Sequence, residues 1–193
     1  MTAIALVPVN LTRTPLGLRS KLTYELGGRS VLMHTLTRLS RCETIERIVL
    51  VHPTGQDPLA ITGKALGNKP IAAFAYDASL DNEPHHVMRM AARKWSPTSW
   101  RGGIGASTCY DELLPASRLA EAAKAFEADA ALLVGADWML VDPALCDEIV
   151  SRHLKYPDAM KMVFTQAPPG LCGIALSTGL LANLAHNTAG FGQ

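Results

Sequence analysis

The sequence predicts an α/β fold in which a largely parallel sheet carries helices on both faces, three layers in all. Three observations carry this. Short apolar runs rich in β-branched residues alternate five times with segments of helical period. The runs are apolar at successive positions and not at every second one, as strands buried on both faces must be. The later helical segments open on recognisable N-terminal signals.

Taken in order, the first strand is expected at 4–9 ("IALVPV"), followed by a long irregular stretch, 10–28, and a helix over 30–42. The second strand is "RIVLVH" (47–52), then an irregular stretch, 53–69, then the third strand "PIAAFAY" (70–76). A helix is expected over 83–95, a loop over 96–110, and a helix over 111–128 that Asp111 would cap. The fourth strand is "AALLVGA" (130–136). Asp142 followed by Pro143 reads as an N-cap with Pro in the first turn of a helix over 143–156. A strand at 161–166 and a helix at 177–187 complete the pattern. Met88, Met90, Met160 and Met162 recur at a spacing of two and read as core or partly core.

The chain has 193 residues, 48% hydrophobic and 18% charged, enough for one globular domain, 1–193, with a sizeable core. Eighteen basic against 17 acidic side chains leave a net charge of +1, which argues against nucleic acid or a membrane surface as partner. Any phosphate must therefore be held by local geometry. Cys42, Cys109, Cys146 and Cys172 are scattered and include no CxxC pair, so neither a zinc knuckle nor a disulfide scaffold is indicated. The short apolar N-terminus has no basic residue before it and reads as a strand, not a signal peptide. A cytoplasmic location is the expectation.

Two loops carry chemistry. After the first strand come Arg13, Arg19 and Lys21, then "ELGGRSVL", so three cations and several backbone amides sit above the strand's C-terminal edge and suit a polyphosphate; the alternative is a solvated basic loop. The loop "RKWSPTSWRGGIGASTCYDE" sets Trp95 and Trp100 about Pro97. It then presents Arg101, Gly102, Gly103, Gly105, Ser107, Thr108 and Asp111, a set that could bind a base or sugar by stacking. The alternative is that both tryptophans cap the core. Asp137 falls where the apolar run "ADAALLV" leaves the core, the position at which open α/β sheets bind ligands.

The order Thr-Arg-x-Pro, Lys21, "ELGGRSVLMHTLTRL" and "IERIVLV" resembles the N-terminal signature of sugar nucleotidyltransferases with the glycosyltransferase-A-like Rossmann fold, on the branch that makes CMP-activated sugar acids, including the spore-coat polysaccharide type. "ADAALLVGADWMLVDPALCDEIVSRHLKYPDA" and "GLCGIALSTGLLANL" resemble its second half, so the likeness runs from about residue 3 to about residue 185. It implies a transferase that activates a sugar or sugar acid from a nucleoside triphosphate, CTP by preference, and releases pyrophosphate. It also implies Mg²⁺ on Asp137, phosphate contacts from Arg13 and Lys21 as the catalytic cations, and substrate contacts from Asn10, Arg19 and the Trp100–Asp111 loop. The family's dimerisation arm and second metal carboxylate find no counterpart before Gln193, which leaves open a homodimer and a piece of a longer polypeptide.

Two departures keep other readings open. Asn10, Leu11 and Thr12 carry side chains where the family has a glycine-rich turn, which suits a domain that binds without turnover. A glycosyltransferase of the same fold would carry Asp-x-Asp where this chain has Asp137-Trp138-Met139. His85 and His86 read as surface residues, and His34 as a packed helix residue. Asp142 reads as a cap close in sequence to Asp137, and Cys109 as a thiol without a base.

Overall fold

The computed structural model describes residues 1–14, 19–78 and 116–188. The helix expected over 83–95, the loop over 96–110 and the start of the one over 111–128 lie outside the described residues. So do Met88, Met90, His85, His86 and Cys109.

Within the described residues the strands β1 (Ala3–Pro8), β4 (Arg47–Pro53), β6 (Lys69–Tyr76) and β7 (Ala130–Leu133) form a parallel sheet in the order β6-β4-β1-β7. Antiparallel strands extend it at both ends. β5 (Ala65–Leu66) pairs with β6, β9 (Ile174–Ser177) pairs with β7, and β8 (Met162–Val163) pairs with β9. A two-residue hairpin, β2 (Glu25–Leu26) and β3 (Arg29–Ser30), stands apart; Gly27 and Gly28 turn it with φ of 59° and 78°, a conformation that glycine adopts without steric cost.

Side chains alternate along each strand to build two cores. Ala3, Ala5, Val7, Ile48, Leu50 and Leu132 face α1 (Val31–Leu39) and α4 (Pro143–Lys155). Ile4, Leu6, Val49, Val51 and Ala131 face the other layer, α3 (Ala116–Ala125) and α5 (Thr178–Thr188). A four-residue helix, α2 (Leu59–Thr62), occupies the stretch expected to be irregular. Ser30 caps α1 by accepting from the Met33 amide, and Asp142 caps α4 by accepting from Ala144 and Leu145 at 2.8 and 3.2 Å. Asp147 ties α4 to the end of α1, its carboxylate accepting from the amides of Glu43 and Thr44 and from the Thr44 hydroxyl.

Several expectations shift. β7 ends at Leu133, although Val134 and Ala136 are buried, because the chain turns at Gly135 while still in the core. The strand expected at 161–166 shrinks to Met162–Val163; Met162 is exposed, and Met160 is half-buried against the core. The cysteines do not all stay scattered, since Cys42, Cys146 and Cys172 meet beneath α4 as free thiols. His34 is half-buried on α1, and its Nε2 lies 2.7 Å from the Leu26 carbonyl, so it braces the hairpin. No helix among the described residues is long and apolar enough to cross a membrane.

Candidate functional site

The strand order reverses between β1 and β7: from β1 the chain winds outward through β4 and β6, then returns to place β7 on the other side of β1. At such a reversal the loops leaving two neighbouring parallel strands part, and the crevice between them opens above their C-terminal ends. Here the two loops are those that hold Asn10–Lys21 and Gly135–Asp142.

The first loop is built around the Asn10 side chain. Its Oδ1 accepts from the Thr12 amide (3.0 Å), the Arg13 amide (3.0 Å), the Thr12 hydroxyl (2.9 Å) and Gln56 Nε2 (3.0 Å). Gln56 comes from the loop after β4, and its Oε1 accepts from the Leu11 amide at 2.7 Å. Beyond this knot Arg13 bridges Arg19 in antiparallel fashion, and the Ser20 amide donates to the Thr12 carbonyl at 3.0 Å. Buried Ser20 and Leu22 anchor the return, which leaves Lys21 exposed between them.

That geometry is electrostatically lopsided. Directly paired residues of an antiparallel bridge share a face, and like charges so placed cost free energy in the absence of an anion. Arg19 lies 6.0 Å from the Tyr24 ring, at the outer limit of a cation–π contact. Among the described residues no carboxylate pairs with Arg13, Arg19 or Lys21. Among the described residues the loop is a cationic surface without its own counter-charge.

On the other side of the crevice, the turn after β7 is shaped by one large ring. The Trp138 amide donates to the Gly135 carbonyl at 3.2 Å, and the indole folds back over Gly135, where an added Cβ would come within 2.5 Å of Nε1. The same indole lies 3.8 Å from where a Cβ on Gly170 would be. Gly135 makes room for Trp138, and the turn leaves Asp137 exposed, with no hydrogen bond to its carboxylate among the described residues. Asp142 caps α4 through Oδ1. Among the described residues no three His, Cys, Asp or Glu side chains group as they would around a metal ion. Trp100, Arg101, Gly102, Gly103, Ser107, Thr108 and Asp111 lie outside the described residues.

No protein-family model matches the chain, and no curated protein is detectably similar to it. Solved structures are. A cytidylyltransferase from Leptospira borgpetersenii matches 96% of this chain with a TM-score of 0.61 at 16% identity. A CMP:2-keto-3-deoxy-manno-octonic acid synthetase complexed with CTP matches 96% with a TM-score of 0.56 at 12% identity, and 4-diphosphocytidyl-2C-methyl-D-erythritol synthase from Anaerococcus prevotii matches 98% with a TM-score of 0.53 at 18% identity. The fold is that of the cytidylyltransferases. This chain covers 63% of the length of the Leptospira protein, and 78% and 75% of the other two. At these identities the likeness is one of architecture, and it agrees with the nucleotidyltransferase-type fold that the sequence motifs imply.

In this chain Asn10, Arg13, Arg19, Lys21 and Asp137 all lie on the two loops that leave β1 and β7 at the reversal of strand order. Gln56 is the residue that sequence reasoning missed. It lies in a short Thr-Gly-Gln turn with no motif of its own, and its partnership with Asn10 spans 46 residues.

Proposed function

We propose that this chain is a nucleotidyltransferase domain that binds a nucleoside triphosphate, CTP by preference, and transfers its nucleotidyl group to a sugar or sugar acid. The observation that carries the reading is the reversal of strand order between β1 and β7, with Arg13, Arg19 and Lys21 on the loop after β1, unpaired with any carboxylate among the described residues, and the exposed Asp137 on the turn after β7. An acceptor oxygen forms a bond to the α-phosphorus as the bond from that phosphorus to the bridging oxygen breaks, and pyrophosphate leaves. Such a step requires positioning and charge neutralisation more than covalent participation by the protein.

Each side chain has a part in this. Arg13 and Lys21 oppose the charge that grows on the departing phosphates, and Arg19 adds to the field that draws a polyanion into the crevice. The Asp137 carboxylate is a hard oxygen ligand of the kind that Mg²⁺ takes, and it would hold the ion. A bound Mg²⁺ would supply charge neutralisation and orientation of the triphosphate. The indole of Trp138, packed against Gly135, holds the Asp137 turn in place.

A domain that binds without turnover is the second reading. It is favoured by the amides of Leu11, Thr12 and Arg13, which are all engaged by Gln56 or Asn10. Release of pyrophosphate from CTP, measured with Mg²⁺ and a panel of sugar acids, separates the two. Acceptor-dependent release that falls at least tenfold in Lys21→Ala supports the transferase; binding of CTP with no release for any acceptor favours the second reading.

A further inference from the structure

Four donors converge on one neutral oxygen. Asn10 Oδ1 receives the Thr12 amide, the Arg13 amide, the Thr12 hydroxyl and Gln56 Nε2, all within 2.9 to 3.0 Å. A carbonyl oxygen has two lone pairs, so it cannot serve four donors at full strength. A charged phosphate oxygen is better matched to such a set, because hydrogen bonds to an anion are roughly twice as strong as those between neutral groups. Backbone amides that point together in a turn after a strand are a recurring anion-binding arrangement. Arg13, one of these donors, is bridged to Arg19, and neither arginine pairs with a carboxylate among the described residues.

Resting on the nucleotidyltransferase reading, we propose that these four donors form the phosphate cradle of the crevice, and that the Asn10 carboxamide is an internal stand-in for a phosphate oxygen which the triphosphate displaces. Gln56 has two roles. Its Nε2 is one of the four donors, and its Oε1 fixes the loop through Leu11. The absence of glycines at 10–12 then does not abolish the cradle; Asn10 keeps it formed and filled until the polyanion arrives. Displacement swings the carboxamide away and frees the amides of Thr12 and Arg13.

The test is titration calorimetry with inorganic tripolyphosphate and, separately, with CTP and Mg²⁺, on the wild type, Asn10→Ala, Asn10→Asp and Gln56→Leu, each also followed by thermal unfolding. Asn10→Ala removes the competitor, so tripolyphosphate should bind about tenfold more tightly while the protein unfolds at a lower temperature. Asn10→Asp puts a permanent anion in the cradle, so binding should weaken at least tenfold while the unfolding temperature holds or rises. Gln56→Leu should weaken binding several-fold. These opposite signs set a competitor apart from a scaffold: binding that weakens in Asn10→Ala and is kept in Asn10→Asp overturns the proposal. Tight tripolyphosphate binding by Asn10→Ala with no CTP bound by any variant supports the cradle and refutes the CTP reading. CTP binding by the wild type that Asn10→Ala leaves unchanged or weakens does the reverse.

Discussion

Replacing Gly135 by Ala should damage the Asp137 turn through a single contact. The added Cβ would sit 2.5 Å from Trp138 Nε1, 2.7 Å from Cε2 and 2.8 Å from Cδ1, whereas ordinary contact begins at 3.4 Å. The indole must therefore retreat by about 1 Å, and it is a rigid ring that packs on the core and also lies beside Gly170. Overpacking of this kind costs about 2 kcal/mol, which for a chain of this length lowers Tm by roughly 4–8 °C. The assay is a double-mutant cycle on thermal or urea unfolding with Trp138→Ala. In the Trp138→Ala background all three close atoms are gone, so Gly135→Ala should cost only a few tenths of a kcal/mol, a coupling of about 1.5 kcal/mol. Equal destabilisation in both backgrounds would refute the view that Gly135 is glycine to seat the indole.

Asp147→Ala strips three hydrogen bonds from the junction of α4 with the end of α1 and should cost about 2 kcal/mol, read as a fall in the urea midpoint with m unchanged. Thr35→Val should leave stability unchanged or raise it by up to about 1 kcal/mol, because the Thr35 hydroxyl is fully buried and has no partner among the described residues. The Cys146 thiol is bonded by Cys172, which favours its ionised form, but the bond with Cys42 and burial outweigh this and push it up to about 12 from an ordinary 9.0. Cys172 is also pushed well up, by its bond with Cys146 and then by burial. Unfolded thiols ionise first as pH climbs, so this cluster should add stability that is full below pH 9.0 and fades toward pH 12, and site-resolved iodoacetamide labelling at pH 8 should leave Cys146 and Cys172 far slower than a free thiol.

The core strands were legible because burial on both faces leaves a mark at every position. "IALVPV", "RIVLVH" and "PIAAFAY" all coincide with parallel strands, and the Asp142-Pro143 cap is where local chemistry puts it. β7 was read three residues too long because burial does not tell a strand from a buried turn, and Val134 and Ala136 stay in the core after Gly135 bends the chain. The antiparallel sense of β9 left no trace in its four residues, since direction is set by which neighbour it pairs with. The Gly27-Gly28 pair was a hairpin signal that could have been read. At the candidate site, the cations and Asp137 were visible as residue types on the loops that follow strands. The Asn10–Gln56 knot and the meeting of Cys42, Cys146 and Cys172 were not, because each joins residues that are near only once the sheet has formed.

The central claim is that the crevice between β1 and β7 binds a nucleoside triphosphate with help from a divalent metal on Asp137. Isothermal titration of CTP, ATP, GTP and UTP, each with and without Mg²⁺, against the wild type and Asp137→Ala tests it most directly. The account predicts that one triphosphate, CTP first, binds only with Mg²⁺, and that this binding weakens at least tenfold in a variant that unfolds at the wild-type temperature. Binding of no triphosphate by the wild type, or Mg²⁺-dependent binding that Asp137→Ala leaves intact, would contradict it.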